Sequence, residues 1–553
     1  MPFFRLITFG CKVNQCDTAG MAREFVQQGW CAAAPGLAPD LVIVNTCTVT
    51  KRADQQARQA IRRLAREHPG TPVWVTGCYA QRAPAEVAAL PGVQAVFGNQ
   101  EKVRLAHLLN GIHPPPVRDA ATGPPGPAAP LALLARPTSP GPPGSTAARS
   151  PLARPESSSP PAHEAREGID SPSPLTNEAR GRGDSPTSLR EAARGGDSPT
   201  PLGDIGRRGD SPSPWMGEGW GGGEAETMVS PSSGAPRRLV APFSPTPPFQ
   251  PWEVHAVPGH TRAWLKIQEG CSHQCRYCIV PQVRGPRRSL DPAAVLTAFQ
   301  DLAGLGFREV VLTGVDLGQY GLDHAPPVNL AALVRRLAAQ AFPFRVRLSS
   351  LEPMMVTPEL LGELAAWQNF CPHFHLPLQS GAAPVLAAMG RPYSPEEFRD
   401  LVREITRRFP GAGLGLDVLV GFPGETAADF EATRSLVAGL PVTYLHVFPY
   451  SPRPGTPAAG LPPLPATMVQ ERALIMRELG QAQKKKFLEA QLGQVREVLV
   501  EGPAAQEGWL QGLSDHYLRV TFPGPPALHN RLVMVRFCSR QGEVLVGEAV
   551  GEP

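Results

Sequence analysis

Three times in the first hundred residues a short apolar run ends on a cysteine: Thr8-Phe9-Gly10-Cys11, Val44-Asn45-Thr46-Cys47 and Val75-Thr76-Gly77-Cys78. The runs Phe4 to Gly10, Leu41 to Thr46 and Pro72 to Thr76 read as strands, separated by helical stretches at Thr18 to Gln28 and Ala53 to Glu67. Such alternation predicts a parallel α/β sheet. Parallel strands end on a common edge, where open α/β sheets carry their sites, so three thiols far apart in sequence are expected to converge. One cysteine in this position is an ordinary small hydrophobe. Three in successive units predict metal or cluster ligation, with zinc and an iron-sulfur cluster both open on spacing alone. Cys16, close to Cys11, is read as a bystander, and Cys31, Cys371 and Cys538 lack partners at ligand spacing.

Composition divides the rest of the chain. Of 65 prolines in 553 residues, 29 stand between Ile112 and Pro251, together with 18 glycines. About a third of that stretch is therefore Pro or Gly, above the ~25–30% that marks low-complexity chain. Asp-Ser-Pro recurs there at Asp170, Asp184, Asp197 and Asp210, in units with too little Leu or Ile to stack as a solenoid. An unstructured insertion over 112–251 is expected, because it cannot bury enough apolar surface to offset its ordering entropy. No apolar run approaches the ~18 residues of a membrane helix and no signal peptide opens the chain, so a soluble cytoplasmic protein without membrane contact is expected. Ten cysteines in such a chain argue for metal or redox use rather than structural disulfides. The net charge is only +4, so any nucleic-acid contact must come from local patches.

Beyond the insertion, an apolar run from Trp264 to Gly270 leads into Cys271-Ser272-His273-Gln274-Cys275-Arg276-Tyr277-Cys278. Three thiols in eight residues can hold three irons of a cubane and leave the fourth open to a ligand. Cys271, His273, Cys275 and Cys278 also offer a Cys3His zinc set, although structural zinc sites usually pair two separated knuckles. Further strands are predicted at Glu309 to Asp316, Arg345 to Leu351, His373 to Leu378, Leu414 to Gly421 and Tyr444 to Phe448, with helices such as Pro292 to Gly304 and Leu330 to Gln340 between them. Counting the strand before the cysteine loop gives six.

The C-x3-C-x2-C loop, with Tyr277 as the aromatic before its last cysteine, resembles the signature of radical S-adenosylmethionine (SAM) enzymes. The three N-terminal cysteine segments, together with Leu376-Pro377-Leu378-Gln379-Ser380-Gly381, Asp417 to Glu425 and Phe448 to Thr456, resemble the methylthiotransferases within that superfamily. Lys12-Val13-Asn14-Gln15, Leu265 to Gly270 and Leu312 to Gly321 resemble the branch acting on tRNA threonylcarbamoyladenosine; Cys16 stands where an aromatic or small residue is expected. The resemblance implies a flavodoxin-like N-terminal domain (1–111), a radical SAM core (252–483) forming a partial (β/α)6 barrel, and two [4Fe-4S] clusters. Cys271, Cys275 and Cys278 would hold the cluster that binds and cleaves SAM to a 5′-deoxyadenosyl radical, and Cys11, Cys47 and Cys78 an auxiliary cluster carrying the sulfur. SAM contacts are expected from Tyr277, Gly314, Ser350, Glu352, Asp417 and Gly421, whereas Arg284 and Arg391 are candidate phosphate or carboxylate partners or simply solvated.

From Phe487 onward five short strands read as a small barrel, which resembles a TRAM domain of oligonucleotide-binding type (484–553). Lys484-Lys485-Lys486 are placed to contact phosphate, and Trp509, Tyr517 and Phe522 to stack bases or fill the barrel. From Lys484 eight basic residues face eight acidic ones, so RNA binding here rests on resemblance and not on charge. The expected activity is methylthiolation at C2 of N6-threonylcarbamoyladenosine next to the anticodon, with tRNA and a low-potential electron donor as partners and the enzyme a monomer. The rivals are the isopentenyladenosine branch, methylthiolation of a ribosomal-protein aspartate, and a non-catalytic metal-containing RNA-binding protein.

Overall fold

Runs of valine, isoleucine and leucine flanked by amphipathic helices build the N-terminal sheet in a computed structural model of the chain, which describes residues 1–105, 236–245, 248–249, 251–252 and 261–551. Strands β1 (Phe3–Thr8), β2 (Cys31–Ala32), β3 (Leu41–Thr46), β4 (Val73–Gly77), β5 (Val93–Phe97) and β6 (Arg237–Leu239) run parallel in the order β2-β1-β3-β4-β5-β6. The first five follow the flavodoxin-like order. Every residue of β3 and β4 is buried, as expected of strands covered on both faces. Ile61, Leu64 and Val87 pack on one side of the sheet, and Met21, Phe25 and Leu105 on the other.

Two sequence boundaries are corrected here. The first helix runs Lys12–Gln27 and starts directly behind Cys11, six residues earlier than the apolar pattern indicated. Its N-cap is Cys11, which makes no side-chain cap, so the usual Ser, Thr or Asp signal is missing. The second correction is β6: it lies inside the stretch read as insertion yet pairs with β5. Its three residues are all exposed, the mark of an edge strand with no apolar alternation to betray it. Residues 106–235, where most of the expected insertion falls, lie outside the described residues.

The central domain contains the six expected barrel strands. They are β7 (Arg262–Lys266), β10 (Glu309–Thr313), β11 (Arg345–Leu348), β12 (His373–Gln379), β13 (Gly413–Val420) and β14 (Tyr444–Pro449). They form two parallel triplets, β7-β10-β11 and β12-β13-β14, joined by a single bridge from Val346 to Phe370. A short hairpin, β8 (Gln268–Glu269) with β9 (Arg288–Ser289), encloses the cysteine loop. The helix Ala466–Ala490 then packs on β14, with Gly480 so close to Leu445 that a Cβ would stand 2.8 Å from it. The domain boundary expected at 483/484 therefore falls inside a continuous helix.

The last five strands, β15 (Val495–Pro503), β16 (Trp509–Ser514), β17 (Arg519–Pro523), β18 (Leu532–Gln541) and β19 (Val544–Ala549), close into a barrel in the order β15-β16-β17-β19-β18. Phe522 fills its core, whereas Tyr517 does not. The turn carrying Tyr517 instead inserts at the N-terminal ends of the large barrel's strands. Arg345 donates to the Leu513 carbonyl (2.7 Å), and Arg347 to those of Asp515 (2.8 Å) and Ser514 (3.1 Å). Glu309 pairs with both guanidiniums at 2.8 and 3.0 Å. The Tyr517 ring stacks on His373 at 4.7 Å, flooring the large barrel. Lys484 is engaged by Glu543 at 2.6 Å.

Candidate active site

Each N-terminal cysteine follows directly on its strand or the turn that ends it. Gly77, at φ +94, shows why the turn is built as it is: a Cβ there would stand 2.4 Å from the Thr46 carbonyl oxygen. Glycine thus lets β4 pass close to β3 and present Cys78 beside Cys47. On the neighbouring turn, a Cβ on Gly10 would lie 3.1 Å from Cys47 Sγ. The three thiols sense one another electrostatically. Burial, then the nearby Cys78 and Cys11, push the Cys47 thiol up to about 12. The Cys16 thiol points elsewhere, 3.9 Å from the Trp264 carbonyl.

The second triad lies on the loop after β8. Gly270, at φ +72, turns the chain where a Cβ would collide with the Pro286 carbonyl at 1.9 Å. Burial pushes the Cys278 thiol up to about 12, with Cys275 adding to the effect. His273 Nε2 pairs with Asp316 Oδ2 at 2.8 Å. Among the described residues, the one group of three or more His, Cys, Asp or Glu donors lying within 4.8 Å of one another is His375, Asp417 and His446. Two sulfurs on one zinc ion sit at most about 4.6 Å apart, twice the Zn–S bond. Neither cysteine triad is that tight.

The helix Val280–Arg284, two residues past Cys278, links the two triads. Ile279 and Val283 pack on Cys78, and Arg284 Nε donates to Cys78 Sγ at 3.2 Å. The same guanidinium reaches Asp17 (3.1 Å), Glu269 (2.7 Å) and the Asn14 side-chain oxygen. Lys266 bridges Asp17 (2.7 Å) and Glu269 (2.9 Å), and Lys102 also pairs with Asp17. All five charged groups are buried. Burial alone raises the Asp17 pKa, but Lys102, Lys266 and Arg284 outweigh it and hold the carboxyl well below its ordinary range. Trp252 Nε1 adds a hydrogen bond to Asp17 at 3.0 Å.

Arg391 repeats the arrangement at the other triad: Nη1 donates to Cys275 Sγ at 3.3 Å while the guanidinium pairs with Glu352. Arg284 and Arg391 are thus buried partners of the protein's own carboxylates and sulfurs, and the solvated alternative is set aside. Sequence reading named both arginines but missed Asp17, Lys102, Lys266 and Glu269, because an interdomain ion network has no periodicity.

Of the expected SAM contacts, Ser350 and Asp417 meet through a histidine that the sequence reading did not single out. Ser350 Oγ lies 2.5 Å from His375 Nδ1, His375 Nε2 is 3.0 Å from Asp417 Oδ1, and His446 Nδ1 is 3.1 Å from the same oxygen. Burial raises the Asp417 pKa, yet the two imidazoles bring it down to about 2. Tyr277 packs edge-on against Phe422. Gly314 lies where a Cβ would stand 2.8 Å from Gln268. The Gly421 N–H is already donated to Glu425 at 2.8 Å, which favours a structural role for that residue.

Comparison with known proteins agrees with this geometry. The family described as "Uncharacterized protein family UPF0004" matches residues 4–98, spanning the first triad, and the Radical SAM superfamily matches residues 265–437, spanning the second. The chain is 28% identical over 534 residues to the threonylcarbamoyladenosine tRNA methylthiotransferase MtaB of Bacillus subtilis, covering 96% of this chain and 92% of that protein. To the protein of the same name from Aquifex aeolicus it is 30% identical over 494 residues, 89% and 91% of the two chains. The tRNA-2-methylthio-N(6)-dimethylallyladenosine synthase of Moorella thermoacetica is 39% identical over 291 residues, 52% of this chain and 66% of that one. With two cysteine triads joined by one buried network and relatives matched along nearly their whole length, the chain belongs to the radical SAM methylthiotransferases of the MtaB type.

Proposed function

We propose that this enzyme replaces the hydrogen at C2 of N6-threonylcarbamoyladenosine in tRNA, next to the anticodon, with a methylthio group. The observation that carries the reading is the pair of three-thiol sites tied together by Arg284, alongside full-length similarity to relatives named for that activity. The C2 hydrogen is not acidic and no general base activates it. Two [4Fe-4S] clusters and SAM, when bound, supply the radical and the sulfur that the side chains lack.

The residues of the chain bind and position. Cys271, Cys275 and Cys278 hold one cluster, and Cys11, Cys47 and Cys78 the other, with three protein ligands each. Arg391 and Arg284 each donate an N–H to one ligand sulfur, which disperses thiolate charge in a buried site. Ser350, His375, Asp417 and His446 form one hydrogen-bonded chain spanning β11 to β14, and Asp417 accepts from both imidazoles. Glu352 is held by Arg391 at the same end of the barrel. The C-terminal barrel acts as a TRAM-like RNA-binding module, and the enzyme works as a cytoplasmic monomer with a low-potential electron donor. Among the described residues no helix is long and apolar enough to cross a membrane.

The test is product analysis with the reconstituted holoenzyme. Anticodon stem-loops carrying threonylcarbamoyladenosine or isopentenyladenosine are incubated with SAM and reductant, and nucleosides are resolved by mass spectrometry. Methylthiolation of the first substrate in preference to the second is expected; the opposite preference rejects the substrate assignment.

A further inference from the structure

The floor of the large barrel is rich in cations, and all but one are paired. Arg262 meets Glu501 at 2.8 Å, while Arg345 and Arg347 share Glu309. Lys12 differs. Its ammonium stands 5.7 Å from the centre of the Tyr517 ring, and among the described residues it has neither a carboxylate partner nor a hydrogen bond. The ring itself is fixed, stacked on His373 and covered by the Arg347 guanidinium at 5.1 Å. Lys12 is half-buried, and it follows Cys11 directly as the first residue of the helix Lys12–Gln27. An ammonium held against an aromatic face without a counter-ion, next to a ligand of the sulfur-carrying site, is a ready receptor for an anionic group.

We propose that Lys12 recognises the carboxylate of the threonyl substituent on the substrate adenine and so sets substrate choice. The proposal rests on the threonylcarbamoyladenosine reading above. Cys11 places the sulfur chemistry at C2, and a base delivered there brings its N6 substituent within the neighbourhood of the adjacent side chain. A threonyl carboxylate completes the ion pair that the barrel floor leaves open. An isopentenyl group instead leaves the ammonium desolvated against apolar carbons, a penalty that disfavours the wrong substrate. Lys12 thus acts through both attraction and rejection.

The test uses the reconstituted holoenzyme with Lys12→Gln and Lys12→Arg, and three stem-loops: threonylcarbamoyladenosine, its threonyl methyl ester, and unmodified adenosine. Iron and sulfide content and circular dichroism confirm that both variants are folded and loaded. Lys12→Gln is expected to weaken binding of the acid substrate by about 10- to 100-fold, the range for one charge-assisted hydrogen bond. It should leave binding of the ester and of unmodified RNA unchanged, while Lys12→Arg restores most of the affinity. Equal weakening on all three RNAs means that Lys12 reads a backbone phosphate, and this overturns the proposal. Unchanged affinity of Lys12→Gln for the acid substrate overturns it too, with the substrate reading intact if the wild type still methylthiolates that RNA. A wild type that ignores the acid substrate here and modifies the isopentenyladenosine stem-loop in the product analysis above overturns both.

Discussion

Replacing Arg284 by methionine tests whether the buried ion network joins the N-terminal domain to the barrel. The network holds three cations, Lys102, Lys266 and Arg284, against two carboxylates, Asp17 and Glu269. Breaking a buried pair typically costs about 3–5 kcal/mol, mostly because a charge is stranded. Here no carboxylate is stranded: Asp17 keeps both lysines and Glu269 keeps Lys266 at 2.9 Å, although Asn14 Oδ1 and Cys78 Sγ each lose a donor. The cost of Arg284→Met should therefore fall at the low end, about 3 kcal/mol. Asp17→Asn has the opposite effect, leaving three cations with one carboxylate, and should cost nearer 5 kcal/mol. Urea unfolding of the holoenzymes, followed by circular dichroism and tryptophan fluorescence, ranks the two variants; Trp252, bonded to Asp17, is a local reporter. An Arg284→Met protein as stable as wild type, or more damaged than Asp17→Asn, would refute the charge-balance argument.

Cysteine variants separate the two triads. Cys275→Ala should abolish deoxyadenosine formation, whereas Cys47→Ala should still cleave SAM but yield no methylthiolated nucleoside; product from Cys47→Ala removes the auxiliary assignment. Deleting residues Ala120 to Val229 should leave iron content and activity unchanged. Extending the deletion to Pro245 removes β6 and the carbonyls of Ala241 and Pro242 that accept from Gln81 and Gln100, and should lower thermal stability. In acid, Glu309 is the group to watch. Burial raises its pKa, but Arg347 and Arg345 outweigh this and hold it well below the ordinary 4.5. Its contribution to stability is therefore complete above that value and lost as pH falls toward the folded-state pKa. Glu309→Gln should be less stable than wild type at neutral pH, with the gap closing in acid; a gap independent of pH contradicts the ion-pair account.

Much of the fold was legible because it rests on local patterns. Strand β3 lies where the apolar run Leu41 to Thr46 predicts it, and the helix Pro292–Gly304 coincides with its predicted span. The six candidate cysteines stand out in the sequence because each follows a strand run or sits in a compact spacing. What the sequence hid was long-range. Asp17 is a buried carboxylate that looks like a surface residue until Lys102, Lys266 and Arg284, far away in the chain, are seen to neutralise it. Tyr517, expected to stack RNA bases or fill the small barrel, floors the large one, because docking between domains leaves no periodic trace. The His375–Asp417–His446 group was missed for the same reason: its members come one each from three adjacent strands.

The most direct test of the central claim is nucleoside mass spectrometry of tRNA from a strain lacking this gene. Loss of 2-methylthio-N6-threonylcarbamoyladenosine, with the unthiolated nucleoside accumulating and the isopentenyl series unchanged, is the expected result. An unchanged threonylcarbamoyl profile, or loss confined to the isopentenyl series, would contradict it.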